Sequence, residues 1–415
     1  MMKHIYTSLD IGSDTIKVVV CELHQNKLNL LAASSFKSKG IKKGLITDVE
    51  LATDCIKGAL LEVEEMLGIK IKKVITSVPS FNAEYSIIKG NVRINNEEGI
   101  VTSNDIIKSL EIAAKTQPYS LREMVTILPI DYTVDDKAFI KEPKGMKCSN
   151  LGCRAVLVTT PKKNVYSVIS LLENIGVEVV DITLNNIGDL YSFNNKAFED
   201  KVGAIINIGS EITDVSLYNK SILVKSSIIN MGGKNIDNDI SYMYKVDIPT
   251  AKNLKLKFAL AHKKNASVND IIEVKSAIDA NLKINQFELS EVVQSRLEEI
   301  LNEAKKEINL LTSRKIDYII ITGGTSNMPG IEYVVRDVFG DNANIGNVKM
   351  LGIRDNIYSS CIGNIVHFIS KLKLKEQDYS MISDNEAYQM TAVNSRKLSA
   401  SDSTLGKIFG FFFSE

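Results

Sequence analysis

Two strand–turn–strand units constrain this chain more than any other feature. The first is Leu9-Asp10-Ile11-Gly12-Ser13-Asp14-Thr15-Ile16-Lys17, and the second is Asn207-Ile208-Gly209-Ser210-Glu211-Ile212-Thr213-Asp214. Each lies between two apolar runs: Ile5 to Leu9 and Ile16 to Cys21 in the first, Ala204 to Ile208 and Val215 to Leu217 in the second. Glycine in such a turn lets backbone N–H groups face a phosphate with no Cβ in the way. A third glycine turn, Thr322-Gly323-Gly324-Thr325-Ser326, follows the apolar run Ile319 to Ile321. One turn of this kind is a weak signal, because strand–glycine turns are common. Three in this order point to a phosphate-binding protein, and the repeated opening of the two halves predicts two related lobes facing each other.

The chain has 415 residues, which is too long for one core. Its 50 basic residues balance its 50 acidic ones, so no charge excess argues for a nucleic-acid surface. Cys21, Cys55, Cys148, Cys153 and Cys361 have no metal-type spacing and are expected to be free thiols of a reducing compartment. Met1-Met2-Lys3-His4 leads into a strand broken by Asp10 and does not read as a secretory signal. No apolar run reaches the roughly 20 residues that span a bilayer. A soluble, cytoplasmic body is expected.

Period-two alternation of Ile16, Val18 and Val20, then Leu28, Leu30 and Ala32, predicts an antiparallel meander. Asp48 caps a predicted helix to Leu67, with Leu51, Cys55, Ala59, Val63 and Met66 on one face. A strand over Lys72 to Val78 follows. Residues 81–154 change character and read as an inserted α+β module, with a helix near Ser103 to Lys115 and a loop over Glu142 to Cys153. A strand over Ala155 to Thr160, a helix over Lys163 to Ile175 and a strand over Val177 to Leu184 return to the first lobe. The second lobe opens with three strands between Val202 and Ile229. A helical stretch covers Asn235 to Leu311, with an apolar stripe from Val292 to Leu311 opposite Arg296, Glu298, Glu299, Lys305 and Lys306. Pro329 suits the first turn of a further helix.

From Lys375 the apolar pattern fades into a polar stretch that reads as a linker. The end of the sequence is apolar again. Leu405, Ile408, Phe409 and Phe412 fall on one helical face, and Phe411 and Phe413 add to the apolar surface. Such a tail reads as a membrane-surface anchor, weak as one copy and effective when many copies act together.

These residues resemble the actin, sugar-kinase and heat-shock-chaperone ATPase superfamily, and within it the FtsA family of bacterial cell-division proteins. The resemblance rests on the first phosphate turn, the inserted module, and the segment Leu128-Pro129-Ile130-Asp131-Tyr132-Thr133-Val134-Asp135. It rests also on Met231-Gly232-Gly233-Lys234-Asn235-Ile236-Asp237-Asn238-Asp239-Ile240, on Ile321-Thr322-Gly323-Gly324, and on the polar linker with an amphipathic end. It implies an α/β fold of two actin-like lobes with an inserted small α+β module and a C-terminal amphipathic tail. The expected divisions are 1–80 with 155–199 for the first lobe and 81–154 for the module. The second lobe takes 200–234 with 316–374, its helical subdomain 235–315, the linker 375–404 and the tail 405–415. It implies ATP and Mg²⁺ in the cleft and a self-assembling polymer. It implies further that FtsZ filaments are tethered, through that polymer and its lipid-bound tail, to the cytoplasmic face of the membrane at the division septum.

By resemblance, Asp10 lies near the metal through water, and Gly12, Ser13, Asp14 and Lys17 surround the phosphates. Gly209, Ser210, Glu211 and Thr213 form the opposing cradle, and Gly232, Gly233 and Asn235 a hinge-side turn. Lys255 lines the nucleoside pocket, and Gly323, Gly324 and Thr325 form the adenosine turn. Arg296, with Lys305 or Lys306, is expected to meet the acidic C-terminal peptide of FtsZ. Three departures bear on activity. Asn207 stands where the family usually keeps a metal-side Asp, Ser210 and Glu211 replace glycines, and Lys252 stands where an acid often holds ribose. Together they predict nucleotide binding with slow or absent hydrolysis. The rival readings are an adaptor resembling the pilus-assembly protein PilM and a small-molecule kinase using Asp131 or Asp135 as base. A folding chaperone is a third, disfavoured because no peptide-binding β-domain follows the lobes.

Overall fold

The computed structural model describes residues 4–390 apart from 117–120, 136, 278 and 280. Two five-stranded sheets carry the architecture. In the first the spatial order is Glu178–Leu184, Lys73–Val78, His4–Ile11, Thr15–His24 and Lys27–Lys37. In the second it is Ala343–Ile345, Tyr318–Thr322, Val202–Ile208, Thr213–Asn219 and Ile222–Ile229. Pairing is the same in both: two parallel contacts on one side of the central strand and an antiparallel meander on the other. The repeat expected from the paired turns is therefore a repeat of whole sheets.

Helix Val49–Leu67 begins at Asp48, whose carboxylate accepts the Leu51 amide at 3.1 Å, and ends at Gly68. Its buried face is Ala52, Cys55, Ile56, Ala59, Leu60, Val63 and Leu67, while Leu51 and Met66 of the expected stripe are exposed. The expected face thus sits about one residue out of register at each end.

The inserted module is a four-stranded sheet, Glu84–Arg93, Asn150–Pro161, Arg122–Val134 and Lys137–Ile140 in spatial order, backed by helix Ser103–Ala114. The strand expected in the first lobe at Ala155–Thr160 begins at Asn150 and pairs only with module strands. The loop expected over Glu142 to Cys153 accordingly ends at Ser149. Apolar alternation locates a strand but does not say which sheet receives it.

Three further segments depart from expectation. The stretch Asn235 to Leu311 is not continuously helical: helices Gly233–Tyr244 and Ile248–Lys257 are followed by the hairpin Ile271–Val274 and Leu282–Asn285, and then by helix Gln286–Leu311. The helix after the third turn starts at Ile331 with Gly330 as its cap, so Pro329 lies just outside it. Helix Ser359–Lys375, expected in the second lobe, buries Cys361, Ile362, Ile365, Phe368, Ile369 and Leu372 in the first lobe's core. It crosses helix Asn185–Phe193 so closely that a Cβ on Gly363 would lie 1.6 Å from the Gly188 carbonyl oxygen. This crossing is where the chain passes between lobes.

The linker expected from 375 is ordered as far as the described residues reach. Residues 384–390 are helical, and Met381, Ile382, Ala387 and Met390 are buried in the first core. The Met381 amide donates to the Ile5 carbonyl at 2.9 Å, and the Ile5 amide to Ser380 Oγ at 3.1 Å. Apolar residues this sparse carry no periodic signal, which is why the strap reads as linker. Residues 391–404 and the tail residues Leu405, Ile408, Phe409, Phe411, Phe412 and Phe413 lie outside the described residues. No described helix is long and apolar enough to cross a membrane.

Candidate functional site

The ends of the two central strands face each other across a cleft of about 340 Å³. Of the expected phosphate and nucleoside residues, Asp10, Gly12, Ser13, Asp14, Lys17, Gly209, Ser210, Glu211, Gly233, Lys255, Gly323, Gly324 and Thr325 line it. Thr213, Gly232 and Asn235 sit behind the wall. Thr213 Oγ1 donates to the Met231 carbonyl at 2.8 Å, and Asn235 Oδ1 accepts the Gly232 amide at 3.0 Å, which caps helix Gly233–Tyr244. The hinge-side turn is stitched to the second phosphate turn by the Gly233 amide on the Gly209 carbonyl (2.9 Å) and the Lys234 amide on the Ser210 carbonyl (2.8 Å).

Each charged group in the cleft has a partner. Lys17 Nζ meets Asp10 Oδ2 at 2.9 Å, and Asn185 donates to Asp10 Oδ1 at 2.9 Å. Burial disfavours the Lys17 ammonium, but the Asp10 carboxylate outweighs it and holds the Lys17 pKa above its ordinary value. Lys255 is buried against Asp237 at 2.7 Å; burial pushes the lysine pKa down and the Asp237 pKa up. Glu211 turns out of the phosphate turn and bridges the lobes, accepting the Lys43 amide at 2.8 Å and Lys234 Nζ at 2.9 Å. Burial alone would raise its pKa; these two donors lower it. Lys252 crosses the cleft to Asp14 Oδ1 at 2.5 Å, far from any role as a ribose acid.

The Asn207 substitution has a structural account. Its Nδ2 donates to Asp189 Oδ2 at 2.7 Å. Asp189 is buried on helix Asn185–Phe193, and its other oxygen accepts Ser359 Oγ at 2.7 Å and Ser360 Oγ at 2.9 Å. Burial raises the Asp189 pKa against these bonds. The carboxylate absent at position 207 therefore stands one hydrogen bond behind it. With Nδ2 fixed on Asp189, Oδ1 of Asn207 faces the third turn. Gly323 adopts φ 91° there, and a Cβ on it would lie 2.4 Å from that oxygen. Asp214 also lines the cleft; burial lifts its carboxyl to about 6, against bonds from Ser216 and Ser80.

Sequence reasoning missed Asp189, Asn185, Asp214 and the segment Asp355–Ile357, which closes the cleft beyond the third turn. Asn185 and Asp189 come from Leu184-Asn185-Asn186-Ile187-Gly188-Asp189, which has no motif of its own. Asp131 and Asp135, the carboxylates of the kinase reading, are in the module. Asp131 pairs with Arg154 at 2.8 Å and Asp135 accepts the Ser149 and Asn150 amides at 2.9 Å, so neither reaches the cleft. The five cysteines are buried and free.

The expected partner residues do not form one basic patch. Arg296 clamps Asp239 through Nε (2.6 Å) and Nη2 (2.9 Å), and its Nη1 meets Glu299 at 2.5 Å. Lys305 donates to the Val338 carbonyl at 2.7 Å, and Lys306 pairs with Glu303. The groove beside Arg296 holds Asp239, Glu288, Glu291 and Glu299 and is acidic.

A family model described as "Cell division protein FtsA" matches residues 204–363, and one described as "SHS2 domain inserted in FTSA" matches residues 83–159. The chain is 28% identical over 370 residues to the "Cell division protein FtsA" of Enterococcus hirae, covering 89% of this chain and 84% of that protein. It is 27% identical over 394 residues to the protein of that description from Bacillus subtilis, covering 94% of this chain and 89% of the other. Among solved structures, a chain of a PilM–PilN type IV pilus biogenesis complex aligns with TM-score 0.60 at 15% identity, over 87% of this chain and 98% of that one. MreB5 of Spiroplasma citri bound to ADP aligns with TM-score 0.54 at 14% identity, over 90% of this chain and 99% of that one. At such identities these two structures speak for the fold alone.

Proposed function

The chain belongs to the FtsA family of actin-like cell-division proteins, and on that premise we propose that it binds ATP with Mg²⁺ in the interlobe cleft. We propose further that it polymerises and ties FtsZ filaments to the cytoplasmic face of the membrane at the division site. The observation that carries the nucleotide reading is the convergence of three glycine turns, from two sheets of like topology, on one cleft with three lysines. The third turn itself depends on Gly323, whose φ of 91° and close approach to Asn207 Oδ1 and the Ile208 carbonyl exclude a side chain. The ADP-bound MreB5 structure, a likeness of fold, is consistent with it.

The residues present fit a nucleoside triphosphate. Backbone amides of the first two turns would bind phosphate, with Lys17, kept on Asp10, adding positive charge beside them, and Lys255 would line the nucleoside side. Mg²⁺, when bound, would neutralise phosphate charge, with Asp10 reaching it through water. Asn207 offers that side a neutral oxygen, which can accept a hydrogen bond from water but adds no charge. Slow or absent hydrolysis follows, and phosphate release above that of an Asp10→Ala control would count against it.

For the partner, the reading supported by family membership is the C-terminal peptide of FtsZ on the helical part of the second lobe. Arg296 can take part only by exchanging Asp239 or Glu299 for a peptide carboxylate. An Arg296→Glu variant with unchanged peptide affinity removes it from the site. The membrane contact is proposed for the apolar tail. Purified full-length chain with ATP and Mg²⁺ should carry FtsZ onto anionic vesicles, and a chain ending at Ser403 should not. Vesicle binding without FtsZ would sink the tethering function, and no binding by either chain would sink the anchor.

A further inference from the structure

We propose that Lys252 is a phosphate-contacting, specificity-determining residue that supplies charge neutralisation a divalent cation would otherwise provide. The inference rests on the nucleotide reading above and states how the phosphates are held.

Three lysines line the cleft, and they differ in freedom. Lys17 is 12% exposed and tied to Asp10, and Lys255 is 8% exposed and tied to Asp237 and to the Gly233 carbonyl. Lys252 is 34% exposed, and its partner Asp14 is 41% exposed. It stands on helix Ile248–Lys257 of the second lobe, yet its ammonium reaches a side chain of the first lobe's phosphate turn. An anion entering that turn therefore meets a cation already in place. Lys252 can exchange the Asp14 carboxylate for a phosphate oxygen, so its charge is never buried without a partner. Lys17 and Lys255 cannot make that exchange without stranding Asp10 or Asp237 in a buried site.

The acidic side of the cleft points the same way. Asp10 holds Lys17 and Asn185, Glu211 holds Lys234 and the Lys43 amide, and Asp214 holds Ser80 and Ser216. Asn207 carries no charge. A hard cation bound directly wants free carboxylate oxygens, and those of Asp10, Glu211 and Asp214 already accept hydrogen bonds, which leaves Mg²⁺ a contact through water. An ammonium is a compact point charge suited to phosphate. The ligand class that results is an adenine nucleotide recognised through its outer phosphates with little dependence on the metal.

The test is equilibrium binding of ATP, ADP and AMP to the full chain, with Mg²⁺ and with EDTA, for wild type, Lys252→Ala and Lys252→Glu. Wild type should hold ATP within about threefold in the two conditions, and Lys252→Ala should weaken ATP about tenfold in EDTA, the size of one charge-assisted contact. AMP affinity should stay within about twofold in that variant, and Lys252→Glu should lose more ATP affinity than the alanine. Equal losses for ATP and AMP would overturn the proposal by assigning Lys252 to the nucleoside. A wild-type ATP affinity that falls about a hundredfold in EDTA would overturn it by assigning the charge to the metal. If wild type binds none of the three, the nucleotide reading itself fails. Circular dichroism and melting of each variant exclude misfolding as the cause of a loss.

Discussion

Replacing Asn207 by Asp would put back the acid that the family pattern usually has, and in this chain it should damage the protein. The new carboxylate would take the place of an amide nitrogen 2.7 Å from Asp189 Oδ2, in a site where Asp189 is 1% exposed. Two unit charges about 4 Å apart repel by about 4 kcal/mol at an effective dielectric constant near 20. Two such acids do not both ionise, and one retains a proton. Holding that proton costs about 1.4 kcal/mol per pH unit above the free carboxyl pKa near 4. The expected destabilisation is therefore about 1.5 kcal/mol at pH 5, rising to about 4 at pH 7, where repulsion sets the ceiling. The sign follows from proton linkage. The folded Asn207→Asp protein keeps a proton that the unfolded chain releases, so its stability falls as pH rises. Urea unfolding of wild type, Asn207→Asp, Asp189→Asn and the double exchange at pH 5 and 7 reads this directly. The double exchange restores one acid and one amide with their places swapped and should recover most of the loss. Wild-type stability of Asn207→Asp at pH 7, or a double exchange no better than the single one, would refute the coupling.

Gly323→Ala should abolish nucleotide binding and cost about 2 kcal/mol or more, from the φ of 91° and the 2.4 Å approach to Asn207 Oδ1; binding and melting assays check it. Met381→Ala should lower stability by about 2–4 kcal/mol in chemical unfolding, because the strap is part of the first core. Glu386 is held at about 2 by Lys72 and by the Ser383 hydroxyl and amide. Its stabilising contribution is full above the ordinary carboxyl pKa and disappears as pH falls toward 2. Glu386→Gln should flatten that part of the acid unfolding curve.

Much of this was legible in the residues. Period-two alternation around Asp10 and Asn207 marked both meanders, and glycines at 12, 209, 233 and 323 marked the cleft. Partnership across the chain was not legible. In the sequence, residues 359–374 read with the second lobe, and nothing local says that helix Ser359–Lys375 packs on the first sheet rather than the second. Arg296 reads as a free cation until the fold brings Asp239 within 2.6 Å. Asn207 reads as a loss of charge until Asp189 arrives behind it. The strap is hidden for another reason: Met381, Ile382, Ala387 and Met390 are too few and too irregular to show a period, and only the core they complete reveals them.

The strap has a mechanical consequence. A pull on the chain beyond residue 390 is borne first by helix 384–390. It then passes to the contacts of Ser380 and Met381 with Ile5 and Thr7. Those contacts hold strand His4–Ile11, the central strand of its sheet, whose far end carries Asp10 at the cleft. Tension on the C-terminal segment and the proposed phosphate site thus share one strand. It is held in register by Thr15–His24 along one edge and by Lys73–Val78 along the other.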